Sequence, residues 1–168
     1  MRTIASIILI LFVSKAIAQS KDYSADVKSA DAIVKTLYDV ISGEAGADRD
    51  WNRFRNLFAA EARLIPSRKN EKGEFSLKAL LPEEYVTMFT TRMKGGFFEN
   101  EIHKVSESYG TVTHVFSTYE TRETKDGKVS ARGINSIQLF HDGQRYFIVN
   151  VFWCAESLGF PLPVKYTK

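Results

Sequence analysis

The sequence predicts an α+β domain in which N-terminal helices pack on a strongly curved antiparallel sheet that forms a cone with an internal pocket. Two observations carry this. Helical apolar stripes occupy the first part of the chain, up to Gly95-Gly96, whereas the chain from Phe97 to Glu156 is almost continuous β signal. That β region is punctuated by Tyr109-Gly110, Asp126-Gly127 and Asp142-Gly143, the turn dipeptides of a meander.

The elements follow in order. From Ser24 or Ser29, either a fair N-cap, apolar residues recur at Val27, Ala30, Val34, Leu37, Tyr38 and Ile41, and the stripe stops at Gly43. Asp50 can cap a second helix whose Trp51, Phe54, Leu57 and Phe58 share a face. A short strand, Ala62 to Ile65, is expected to stop at Pro66, followed by an exposed charged loop from Ser67 to Glu74 and a second strand from Phe75 to Leu80. Pro82 suits the first position of a third helix, with Glu83 and Glu84 near its N-terminus and Tyr85, Phe89 and Met93 on one side.

The last hairpin, within Arg132 to Glu156, sets the register expectations. A two-residue turn at Asp142-Gly143 would place Leu139 opposite Tyr146, Ile137 opposite Ile148 and Asn135 opposite Asn150. Two-residue turns at Asp126-Gly127 and Tyr109-Gly110 would set His114 opposite Leu139, Phe116 opposite Ile137, Thr118 opposite Asn135, Glu120 opposite Gly133 and His103 opposite Phe116. The other hairpin face, with Phe147, Val149, Val151 and Trp153, is too apolar to stay wet, and a homodimer through the sheet is expected.

Arg2, the apolar run Ile4 to Val13 and Ala16-Ile17-Ala18 have the order of a signal peptide, so residues 1–18 are expected to be removed and residues 19–168 to form one domain, secreted or periplasmic. The run is interrupted by Ser14 and Lys15 and is short for a membrane span, which needs about 20 apolar residues. Removal takes Arg2 and Lys15 and no acid, leaving 21 basic against 20 acidic side chains. With near-neutral charge and no basic cluster interleaved with aromatics, a nucleic-acid surface is not expected. Cys154 is the one cysteine, so no internal disulfide can form, and with His103, His114 and His141 far apart no metal site or cofactor is expected.

The opening helix, the run Asp50-Trp51…Leu57-Phe58-Ala59…Ala62-Arg63-Leu64, the entry Gly96-Phe97…Glu99 and the pattern Arg132-Gly133-Ile134-Asn135-Ser136…Asp142-Gly143…Trp153…Glu156 resemble the nuclear-transport-factor-two-like superfamily, with its SnoaL-like domains and cystatin-like cone fold. The resemblance covers roughly Asp26 to Glu156. It implies a cone whose open end admits a ligand, and it assigns the face of Asn135, Asn150, Tyr146 and Ile148 to the interior, Tyr146 and Ile148 matching the family's inward pair. Superfamily members include isomerases, dehydratases, hydrolases and non-catalytic binders.

On this reading His114 with Glu120, or His103 with Glu101, would supply acid-base chemistry beside the amides of Asn135 and Asn150, with Thr118, Phe116, Tyr146, Ile148, Trp51 and Tyr38 lining the ligand. The bland reading makes His103, Glu99 and Glu101 cross-strand neighbours on a wet face, and Asn135 with Asn150 a satisfied buried amide pair. The leading expectation is an exported domain that binds a small apolar or amphipathic molecule. The alternatives are an isomerase, dehydratase or hydrolase, and a protein-interaction module using the outer sheet face.

Overall fold

The computed structural model of the chain describes residues 21–167. The expected leader lies outside the described residues. A 3-10 turn, Ser24–Val27, precedes α1 (Ala30–Ile41), and the Ser29 side chain caps α1 by accepting from the Ala32 N–H at 3.1 Å. Asp50 accepts from the Arg53 N–H and caps the five-residue α2 (Trp51–Arg55). Pro82 opens α3 (Pro82–Arg92), where the Glu84 carboxylate accepts from the Leu81 N–H at 2.8 Å.

Six strands, β1 (Phe58–Lys69), β2 (Phe75–Leu77), β3 (Phe98–Tyr109), β4 (Val112–Arg122), β5 (Val129–His141) and β6 (Tyr146–Ala155), form one open sheet in the order β2-β1-β6-β5-β4-β3. The sheet is mixed rather than wholly antiparallel, because β1 runs parallel to β6. No helix among the described residues is long and apolar enough to cross a membrane.

Pro66 does not end β1. Leu64 directs both its N–H and its C=O to Leu80, so by alternation the missing Pro66 N–H faces the same side, where no ladder pairing is present between the Leu64 bridge and the Ser67–Leu77 pair.

The three hairpins differ from expectation in an instructive way. At Asp142 the carboxylate accepts from the N–H groups of both Gln144 and Arg145, each at 2.8 Å. This lengthens the connection to four residues, with Gly143 at φ +100°, and pairs His141 with Tyr146. The tip of β3–β4 is Gly110-Thr111, and β4 and β5 are joined by residues 123–128. Each change moves the register by two, which keeps every side chain on its expected face.

Single-residue bulges at Ile102, Ser130 and Val149 then each shift the register by one and exchange faces beyond them. The observed partners are Asn135 with Trp153, Gln138 with Asn150, His114 with Gln138, Phe116 with Ser136, Thr118 with Ile134, Glu120 with Arg132, and His103 with Thr118. The expected pairing of Asn135 with Asn150 is therefore replaced.

The helices cover the concave face. Its core gathers Ile33, Val34, Leu37, Phe54, Leu57, Val115, Ile137, Leu139 and Ile148, all nearly or fully buried. Past the Val149 bulge, Val151 is buried and Trp153 packs against the core, so these two leave the outer face expected of them. The convex face still carries Val105, Val112, Phe140 and Phe152, each more than 40% exposed. The C-terminal segment crosses part of it, with Tyr166 edge-on to Phe116 at 5.2 Å and Phe160 against Phe75 at 5.4 Å.

Candidate functional site

Between α1, α2, α3 and the concave face lies a cavity of about 430 Å³. Aromatic and aliphatic side chains supply nearly all of its wall. Phe54 stacks on Tyr85 at 5.6 Å, Phe89 meets Phe97 edge-on at 5.4 Å, and Leu37, Met88 and Trp153 fill the gaps between them.

Glu99 is the acid in this wall. The end of α1 fixes it: the Glu99 N–H donates to Ser42 Oγ at 3.0 Å, and Gly43 bridges Phe97 through two backbone hydrogen bonds. Gly96 permits the approach, since a Cβ there would sit 2.1 Å from the Glu123 carbonyl oxygen. Beyond the Ile102 bulge the side chain turns inward, and Thr121 Oγ1 donates to its carboxylate at 3.1 Å. Burial among apolar groups pushes the Glu99 carboxyl up to about 7, against hydrogen bonds from Thr121 and Asn135 that hold it down.

Tyrosines surround this carboxyl. Burial raises the hydroxyls of Tyr38, Tyr85 and Tyr119 well above the usual phenol range, and the nearby Glu99 charge adds to each rise. Tyr85 and Tyr119 line the cavity, and neither hydroxyl makes a hydrogen bond among the described residues. Gly133 makes room for the Tyr119 ring, because a Cβ at that position would lie 2.5 Å from the Tyr119 hydroxyl oxygen. Tyr38 stands behind the wall. Asn135 Nδ2 donates to its oxygen at 2.9 Å, its hydroxyl is 2.7 Å from Ser117 Oγ, and Ser117 donates to Glu101 Oε2 at 2.5 Å.

Among the ligand-contact and acid-base residues expected from sequence, Asn135 lines the cavity and Tyr38 orients it. Ile148 is fully buried core, Tyr146 packs on His141 at 4.5 Å, and Trp51 packs on Phe54 and Phe89. The bulges at Ser130 and Val149 place His114, Phe116, Thr118, Glu120 and Asn150 on the opposite face. There His114 lies 3.2 Å from Ser136 Oγ, and Glu120 is paired with Arg122 at 2.7 Å. The His114–Glu120 pair is thus outside the cavity, and the wet-face reading of Glu99 and Glu101 is replaced by an inward one. The signal that could have marked Glu99 is its place three residues after Gly96, in the strand entry, directly after the aromatic pair Phe97-Phe98.

No family model and no curated protein matches the sequence. Its structure resembles a cystatin-like-fold protein of unknown function from Nostoc punctiforme, at 10% identity and TM-score 0.56, over 76% of this chain and 92% of that one. It also resembles the CaMKII hub of S. rosetta, at 12% identity and TM-score 0.50, over 74% of this chain and 89% of that one. The fold is cystatin-like. At these identities the likeness concerns the fold, and function must be argued from the cavity itself.

Proposed function

We propose that this chain is a small-molecule-binding domain whose ligand has an apolar body and one hydrogen-bond acceptor, such as a carbonyl oxygen. The carrying observation is the carboxyl of Glu99 in a largely apolar cavity, with the unpaired hydroxyls of Tyr85 and Tyr119 beside it. Few polar groups set into an apolar wall is the usual construction of such sites. Below its raised pKa Glu99 donates, and so do both phenols, so the site offers donors to an acceptor. The test is native mass spectrometry of the purified protein for a copurified molecule, followed by calorimetry with small carbonyl compounds. Glu99→Leu should weaken carbonyl binding by about tenfold, equivalent to roughly 1.4 kcal/mol. Unchanged affinity in Glu99→Leu would remove the reading.

A second reading, proton transfer on the bound molecule, rests on the same carboxyl, since a group titrating near neutral pH can both take and return a proton. Solvent deuterium entering a bound ketone at the carbon beside its carbonyl, lost in Glu99→Gln, would support it. Export fits a binder of this kind, and an N-terminus at Gln19 in the exported form is the expected result. The exposed convex residues Val105, Val112, Phe140 and Phe152 support a homodimer. Light scattering on Phe140→Glu should then show the monomer.

A further inference from the structure

The cavity does not end at its apolar wall. Met88 and Arg92 of α3 also line a neighbouring groove, bounded on its far side by Arg68 and Lys78 of the β1–β2 region. Arg68, Lys78 and Arg92 are exposed, and none makes an ion pair or a side-chain hydrogen bond among the described residues. The two acids of the groove are already engaged. Glu83 is held by Arg55 through two hydrogen bonds of 2.7 and 2.8 Å, and Glu84 accepts from the Leu81 N–H. The place of Arg92 in the last turn of α3 suits the helix dipole, which accounts for one cation there. It does not account for Arg68 and Lys78 facing the same groove from the hairpin.

We infer that the ligand of the cone is an anionic amphiphile: its apolar chain lies in the cavity, and a carboxylate or phosphate monoester at its outer end is held at the rim by Arg92, with Arg68 and Lys78 contributing charge. This rests on the small-molecule-binding reading above and adds the charge and place of the head group. An arginine fork suits either anion, since both accept two parallel N–H bonds. Because the rim is exposed, its attraction is screened over about 8 Å at physiological salt and should weaken as salt rises. The apolar part of the affinity should not weaken.

The test compares decanoate, decyl phosphate, decanol and decyltrimethylammonium by calorimetry on the whole chain at pH 6, where Glu99 is protonated, in low and high salt. The expected order places both anions about tenfold tighter than decanol, with the cation weakest, and the anion advantage shrinking in high salt. Arg92→Gln should remove most of that advantage, lowering decanoate affinity much more than decanol affinity, and Arg92→Lys should restore part of it. A larger advantage for decyl phosphate than for decanoate selects the phosphate head group; the reverse selects the carboxylate. Equal binding of decanol and decanoate, or Arg92→Gln lowering decanol and decanoate alike, overturns the anionic head group and leaves the cavity reading intact. Binding of none of the four overturns the anionic amphiphile, while the cavity reading stands or falls on carbonyl binding and its loss in Glu99→Leu.

Discussion

The two faces of one sheet put alternate residues of the same strands into different solvents. On the concave face Glu99 sits among aromatic rings and retains its proton to about pH 7, and the buried polar groups around it, Tyr38, Ser117 and Asn135, are joined into one chain of hydrogen bonds. On the convex face Glu120 is paired with Arg122 in a partly exposed ion pair, and apolar side chains such as Phe152 stand half in solvent. Adjacent residues in a strand thus differ in chemistry more than residues far apart on one face. What a carboxylate can do here is set by which side of a bulge it falls on.

The sharpest way to break this comparison is to truncate an aromatic on each face. Phe54→Ala, at a fully buried ring touching Tyr85 and Phe58, should cost about 4 kcal/mol in denaturant unfolding, whereas Phe152→Ala on the convex face should cost about 1 kcal/mol. Equal losses would mean that the outer face is covered as fully as the inner one.

Titration comes next. Glu99 is raised in the folded state, so folding favours its protonated form. Its contribution is fully present below the ordinary carboxyl value of 4.5 and is lost as pH rises to about 7, a decline on the order of 3 kcal/mol. The Glu99→Gln variant should lack this component, and the difference between the two unfolding curves across pH 4 to 8 measures it. A parallel pair of curves would place Glu99 in water.

A smaller effect is expected behind the wall. Tyr38→Phe leaves Asn135 Nδ2 and Ser117 without their shared partner and should lower stability by about 1–3 kcal/mol, with Glu99 shifting further upward as Asn135 loses its anchor. Stability without any shift in the Glu99 titration would detach Tyr38 from the site. Smallest of all, Glu120→Gln and His114→Ala should each change stability by under about 1 kcal/mol and leave ligand affinity untouched, since both lie across the sheet from the cavity. Loss of binding in either would reverse the assignment of faces.

Much of the architecture was legible in the sequence, because helix stripes, caps and turn dipeptides are local signals. Ser29, Asp50 and Pro82 each open the helix expected of them. The last hairpin loop is longer than its Asp-Gly dipeptide predicts, because the Asp142 carboxylate caps Gln144 and Arg145, yet the two-residue difference preserves the faces. The site was less legible. Ile102, Ser130 and Val149 are ordinary strand residues, and nothing in them announces a bulge; the curvature of the sheet around its helices demands the extra residue, and that demand is tertiary. One unannounced bulge moved Glu99 inward, another sent His114, Phe116, Thr118 and Glu120 out, and the third exchanged Asn150 for Val151 and Trp153.

The chain of hydrogen bonds behind the cavity also joins distant parts of the polypeptide. Tyr38 is 79 residues from Ser117 and 97 from Asn135, and β1 finds its parallel partner only in β6, the last strand to be made. Closing such loops costs chain entropy before any contact repays it, so the order of folding is constrained. Until β6 emerges from the ribosome, β1 has an open edge and nothing joins it to the β5-β4-β3 part of the sheet on which α1 lies. The cone is therefore a late product of folding, and a chain interrupted before Ala155 should remain unfolded and prone to associate through that edge.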